Sequence, residues 1–267
     1  MSVRESNGNG RIVWRGYSML DGAPIVCIAT GFARRTVNAK TGDMIQIWVL
    51  RADINPVEAI NTGADYSVCG DCRHRGKTLI AFGTSFLKTV NKMRSCYVKI
   101  SQAPLAVWKC FKRGGYPEMS ADDWAKLGKR SVRLGSYGDP TAVPFKVMSK
   151  LARVAIGHTG YTHQWRQGEF WRFRRIVMAS VESYDDALLA SGKGWRTFRT
   201  MRPGAQPSAG EFRCPASKEA GYRLDCAACT ACGGASRDKG ESQAVSVAIT
   251  AHGSPAVMGS YLRAFSA

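Results

Sequence analysis

Residues 131–165, SVRLGSYGDPTAVPFKVMSKLARVAIGHTGYTHQW, decide the fold class. SVRLGSYGDP reads as a strand running into a loop, AVPFKVMSKLARVAIG as a helix, and HTGYTHQW as a strand opening into a second loop. The rhythm continues to the end of the sequence. RRIVMASVES, WRTFRTM, GEFRCPAS and AVSVAITA read as strands, and YDDALLASGKG, KEAG and SPAVMGSYLRAFSA as helical pieces. Strand starts fall near 131, 159, 175, 195, 211 and 244, a spacing that predicts parallel β-α units. Several of these strands end in polar residues, which a β/α barrel would gather on one face. The expected class is α/β, a partial or open β/α barrel with an N-terminal β-rich portion and cysteine-rich metal-binding loops. A doubly wound sheet is the alternative. There is no exact internal repeat.

Upstream, RIVWRGYSML, PIVCIATG and MIQIWVLRA are apolar, β-branched or aromatic runs separated by Gly, Asp and Asn, and predict strands. NPVEAINTG predicts a short helix, with Asn55 as N-cap, Pro56 at the first position and Gly63 as its stop. SCYVKIS is strand-like, and ARRTVNAKTGD reads as a loop or hairpin end. APLAVWKCFKRGG predicts a helix ended by Gly114, and SADDWAKLGKR another, capped by Ser120. Residues 1–9 read as a disordered start, and 10–267 as a single α/β domain, β-rich over about 10–101 and β/α-repeating over about 102–267.

The balance of 38 basic against 20 acidic residues gives a net charge of +18, which predicts attraction to polyanions, nucleic acid foremost. No apolar run approaches the ~20 residues of a bilayer span. The start, MSVRESNGNGR, lacks an apolar h-region, so a cytoplasmic protein without a membrane partner is expected.

Nine cysteines in such a chain argue for metal rather than disulfides. The downstream group, C-x11-C-x2-C-x2-C, comprises Cys214, Cys226, Cys229 and Cys232. Two-residue spacing lets thiolates converge while small neighbours such as Ala227, Ala228 and Gly233 let the backbone wrap closely. Four cysteines complete the shell of a 4Fe-4S cluster or a structural zinc, and the three-cysteine run with Pro215 after Cys214 favours the cluster. The upstream group, Cys69, Cys72 and Cys96, offers three thiolates, with His74, Cys110 or a ligand as the fourth donor. Three cysteines on a cubane leave one iron open, able to take a substrate or S-adenosylmethionine. With His74 the set would suit zinc. Cys27 and Cys110 sit in apolar surroundings and read as core.

CGDCRHR, SCYV, RLGSYGDP, GYTHQW, VMASVES and GWRTFR, spread over roughly residues 20–235, resemble an uncharacterised family carried by phages and mobile elements. That family is similar to radical S-adenosylmethionine enzymes, whose partial β/α barrel carries a three-cysteine cluster. The resemblance implies that Cys69, Cys72 and Cys96 hold the open cluster, with Tyr97 in the aromatic position after the last cysteine. It further implies that GSYGDP, with Ser136 and Asp139, lies beside the cluster. The chain departs from the compact C-x3-C-x2-C of those enzymes, since residues 73–95 separate Cys72 from Cys96.

GHTGYTHQWRQGEFWRFRR interleaves aromatics with Arg166, Arg172, Arg174 and Arg175, and GWRTFRTMR adds Arg196 and Arg199. Such patterns can neutralise phosphates and stack bases, so these arginines are expected on a polyanion-facing rim. His158 and His163 form no H-x-H pair, and no third metal ligand stands near them in the sequence. Asp139 and Glu182 fall at predicted strand ends as an acid–base or ligand-binding pair. No P-loop and no G-x-S-x-G elbow occur. The leading expectation is an iron–sulfur protein, a radical S-adenosylmethionine-like enzyme or a non-catalytic relative, in the host interior where phage-encoded. The alternative is a nucleic-acid-binding protein with structural metal sites, acting in replication or host modulation.

Overall fold

The computed structural model describes residues 8–33, 39–79, 90–92, 94–235 and 245–265. Three strands open the chain: β1 (Gly10–Tyr17), β2 (Pro24–Thr30) and β3 (Ile45–Arg51). Ile25 through Thr30 are all buried, because this continuous apolar run is covered on both faces. Helix α1 (Pro56–Thr62) follows, and Asn55 accepts from the N–H groups of Val57 and Glu58 as the sequence predicts. After it come α2 (Tyr66–Cys69), the two short strands β4 (Lys77–Leu79) and β5 (Val90–Lys92), α3 (Ala103–Lys112) and α4 (Ala121–Leu127). SCYVKIS is not a strand; residues 95–99 run as irregular chain. The expected disordered start, 1–9, lies outside the described residues except for positions 8 and 9, as does part of the 33–43 loop.

The alternating part contains β6 (Ser131–Tyr137), α5 (Phe145–Val154), β7 (Gly157–Thr162), β8 (Met178–Val181), α6 (Tyr184–Gly192) and β9 (Thr197–Met201). It closes with β10 (Glu211–Arg213), α7 (Cys226–Cys229), β11 (Ser246–Thr250) and α8 (Pro255–Ala264). In α5 the buried Met148, Leu151 and Ala152 recur at helical spacing and form the face that meets the sheet.

Among the described residues these strands form one nine-stranded sheet, ordered β1-β2-β3-β6-β7-β8-β9-β11-β10, beside a separate β4–β5 pair. β1, β2 and β3 pair antiparallel; every pairing from β3 onward is parallel. The sheet is open, with β1 and β10 at its edges. From β3 to β9 each strand is laid beside its predecessor in the same direction, so the reversal of order that defines a doubly wound sheet does not occur there. The one departure is at the end, where β11 inserts between β9 and β10.

A large apolar core packs β2, β3, β6 and α5 together with Trp165, Phe170 and Phe173. A smaller cluster gathers Met44, Met178, Val247 and Ile249 around Cys214, Cys226 and Cys232. The antiparallel edge is tied to α4 by a capping box. Asp123 N–H donates to Ser120 Oγ, and Asp123 Oδ2 accepts from Ser120 N–H and, at 2.7 Å, from Arg11 Nε on β1. Burial works to raise the Asp123 carboxyl, but Arg11 and Ser120 outweigh it and hold its pKa below the ordinary carboxylate value. Asp123→Ala is therefore expected to cost about 2 kcal/mol in urea unfolding, since it removes the carboxylate half of the capping box and leaves Arg11 without its carboxylate partner. The sign with pH follows. This contribution is complete above the carboxyl's ordinary value of 3.8 and is lost as pH falls through the lower, folded value, so the wild-type and variant stabilities converge in acid.

Candidate metal centre

The three upstream cysteines are brought together by backbone hydrogen bonds that close the long sequence gap. Cys72 N–H donates to the Cys69 carbonyl, and the N–H groups of Ser95 and Cys96 both donate to the His74 carbonyl, at 3.2 and 3.1 Å. Arg75 staples this loop to the preceding turn through Asp65 Oδ1 at 2.6 Å and the Gly63 carbonyl at 2.9 Å. Burial pushes the Cys69 thiol well up, and nearby Asp65, Cys72 and Cys96 add to the rise. Burial likewise raises Cys96, against the pull of Arg94. Thiols in this setting become thiolates when a metal supplies the compensating charge.

The downstream set is built from β10, α7 and the turn that follows. Cys214 N–H donates to the Ala248 carbonyl of β11. Asp225 caps α7 by accepting from Ala228 N–H, and Cys226 N–H reaches the Lys40 carbonyl at 2.9 Å. Thr230 takes a left-handed conformation (φ 47°) that turns the chain toward Cys232. The Cys232 carbonyl accepts from Gly160 N–H, and His158 Nε2 lies 2.8 Å from the Gly233 carbonyl, so this loop is pinned along β7. Burial pushes the Cys232 thiol up to about 12, opposed by a hydrogen bond with Tyr161. Two cations stand among these sulfurs. Lys40 feels Cys214, Cys226 and Cys232, and Arg133, only 9% exposed, feels Cys226.

All seven cysteines line one cavity. Its wall is the inward face of the parallel strands: Arg133, Gly135 and Tyr137 alternate along β6, Thr159 and Tyr161 along β7, and Phe198 and Thr200 along β9. Gly135 through Asp139, the heart of GSYGDP, face the same space as Cys69, Cys72 and Cys96. Cys27 and Cys110 lie apart from it, within the large apolar core.

Tyr97, Ser136 and Asp139 also line the cavity, each with defined partners. Arg133 donates to the Tyr97 hydroxyl at 2.7 Å, and Ser136 Oγ donates to Gln46 Oε1 at 2.6 Å. Asp139 is buried and accepts four hydrogen bonds: from Thr141 N–H and Oγ1 on one oxygen, and from Thr162 Oγ1 and His163 N–H on the other. It does not pair with Glu182 as an acid–base couple; its bonds join the end of β6 to the end of β7.

Glu182, one residue beyond β8, instead meets two histidines. Its Oε1 lies 3.3 Å from His163 Nε2 and 3.3 Å from His74 Nε2. Burial works to raise the Glu182 carboxyl, and the two imidazoles outweigh it, holding its pKa at about 2. For His163 burial works downward, and Cys72 and Glu182 raise its pKa well above the ordinary value. The sequence reading that left His163 without a nearby third ligand is thus corrected. The topology places it beside Glu182 because β7 and β8 are parallel neighbours, and the cysteine loop delivers His74.

The arginine rim is corrected in part. Arg196 is buried and donates to the carbonyls of Gly234 and Val245 at 2.9 and 2.8 Å. Arg199, also buried, pairs with Glu211 at 2.5 Å and reaches Ser208. Arg196 stands just before β9 and Arg199 within it, and each is taken up by partners inside the protein. Arg166, Arg172 and Arg175 are exposed, and Arg174 is half-buried over the Trp171 ring. Arg166 is paired with Asp186 at 2.5 Å. No helix among the described residues is long and apolar enough to cross a membrane.

Comparison with protein-family models, with curated proteins and with solved structures finds no match to this chain.

Proposed function

We propose that this chain is an iron–sulfur protein of the radical S-adenosylmethionine-like kind suggested by its motifs, built on an open β/α barrel of phage or mobile-element type. Cys69, Cys72 and Cys96 hold one centre, and Cys214, Cys226, Cys229 and Cys232 hold a second. The observation that carries the reading is the convergence of all seven thiols on one cavity walled by consecutive parallel strands. Sequential strand order with alternate residues aimed at a common space is what a barrel wall provides.

The run of three cysteines at two-residue spacing, Cys226, Cys229 and Cys232, favours a cluster over a single ion. Tetrahedral zinc, with Zn–S of about 2.3 Å, draws its thiolates to roughly 3.8 Å of one another. Among the described residues no three cysteine sulfurs lie within 4.8 Å of one another. A cubane, which spreads its ligands at the outer corners of a cage, does not require so tight a set. Lys40 and Arg133 fit as well, since a four-thiolate cluster is a buried anion and two cations beside it offset the cost of burying that charge.

Bound at three thiolates, such a cluster supplies a redox-active group with one iron free for a further ligand, S-adenosylmethionine in the family the motifs resemble. The chain's own residues prepare the space around it. Asp139 fixes the backbone of His163, Arg133 orients the Tyr97 hydroxyl, and Phe198, Phe212 and Val247 keep the cavity wall apolar. Anaerobic reconstitution with iron and sulfide tests the proposal. The wild type is expected to bind about eight irons, and the double variants Cys69→Ala/Cys72→Ala and Cys226→Ala/Cys229→Ala about four each. Retention of zinc alone at the thiols, with no iron taken up, would discard it.

A further inference from the structure

We infer that His74, His163 and Glu182 form a third inorganic site, a mononuclear one for a divalent first-row metal such as zinc or ferrous iron. It rests on imidazole and carboxylate donors that converge on one another, beside Cys72 of the upstream cysteine set. Among the described residues this is the one group of three or more histidine, cysteine or acidic side chains whose ligand atoms all lie within 4.8 Å of one another. Both imidazole Nε2 atoms face the same oxygen, Glu182 Oε1, at 3.3 Å.

Each donor is oriented from behind. Glu182 stands at the carboxyl end of β8, its side chain 3% exposed, with Arg73 Nη1 at 3.8 Å from Oε2 on the outer side, so that Oε1 faces the histidines. His163 stands at the end of β7 with its N–H bound by Asp139. The His74 Nδ1 lies 2.8 Å from Ser95 Oγ, and its ring stacks on Tyr261 (6.2 Å, 13°) and packs on Phe265 (5.3 Å). A partner on the far ring nitrogen, with the near one left for the ion, is the usual support of a metal-binding histidine.

A thiol–imidazole–carboxylate relay is the competing arrangement, with Cys72 Sγ 3.8 Å from His163 Nε2. Such a relay uses opposite ring nitrogens for thiol and acid. Here sulfur and carboxylate both face Nε2, and a second imidazole faces the same oxygen, so the donors converge on a point instead of forming a chain. Two imidazoles and one carboxylate select zinc or ferrous iron over magnesium or calcium and leave coordination positions open. His74 and His163 line the cavity, so those positions face it.

The test is zinc titration of the full-length chain after iron–sulfide treatment, counting bound zinc and reading its first shell by X-ray absorption. One zinc per chain with nitrogen and oxygen donors at about 2.0–2.1 Å is expected. Glu182→Gln is expected to lose that zinc, lowering affinity at least tenfold, while Cys229→Ala retains it; His74→Gln repeats the measurement should Glu182→Gln fold poorly. The difference of one zinc between wild type and variant stands whatever occupies the thiols. A shell of sulfur alone, or Glu182→Gln binding within threefold of wild type, would overturn the assignment.

Discussion

Asp139→Ala is expected to destabilise the protein by about 3–5 kcal/mol, because it strands four donors in a buried place. Thr141 N–H, Thr141 Oγ1, Thr162 Oγ1 and His163 N–H all lose their acceptor, and the two N–H groups cannot turn away to find another. Asp139→Asn keeps one oxygen but points an amide N–H₂ at the other pair of donors, so an intermediate loss of about 1–3 kcal/mol is expected. Urea unfolding of both variants measures the series. An alanine variant within 1 kcal/mol of wild type would mean that water or a neighbour replaces the carboxylate, and that the β6–β7 connection is held by other contacts.

Gly138→Ala should be nearly as damaging, for a steric reason. Gly138 has φ of 84°, and a Cβ there would lie 2.7 Å from Val49 Cβ and 2.8 Å from the Val49 carbonyl. Both are parts of a packed strand and cannot move aside cheaply. Left-handed strain of about 1–2 kcal/mol adds to overpacking of about 1–3 kcal/mol, for a loss of roughly 3 kcal/mol. Gly114 is the internal control. It has φ of 71° with nothing within 4 Å of the added atom, so Gly114→Ala should show the conformational share alone, about 1 kcal/mol. Equal thermal midpoints for the two variants would contradict the crowding at Gly138.

Elements with a local signature were legible in the sequence. Asn55, Pro56 and Gly63 bracket α1, and Ser120 caps α4 with the acids of its first turn. The strands after residue 130 also stood out, because apolar runs four to seven residues long alternate with helical spacing. What failed was non-local. SCYVKIS has strand composition, yet its backbone donors go to the His74 carbonyl to gather the cysteines, so it joins no sheet. The insertion of β11 between β9 and β10 leaves no trace in either segment.

The site divides in the same way. Cysteine spacing marked the seven sulfurs, but nothing in it says that two groups so far apart in the sequence share a wall. His163 was read as an isolated histidine because its partners come from the next strand and from a distant loop. One signal was there to use: Arg133, a lone charge inside the apolar run SVRLG, already pointed to a strand face that is not ordinary core. Arg196 and Arg199 were misplaced on a surface rim for the converse reason. Their partners are distant in the sequence or beyond the strand: the Gly234 and Val245 carbonyls take up Arg196, and Glu211 takes up Arg199.

The late insertion of β11 also bears on how the molecule is made. Cys214 is fixed by the Ala248 carbonyl, and among the described residues β10 joins the sheet through β11, so a nascent chain cannot set that cysteine until residues 246–250 have been made. Helix α8 then adds Val257, Met258 and Tyr261 to the rim. A chain stopped by a premature codon before 245 would have strands but no finished vessel.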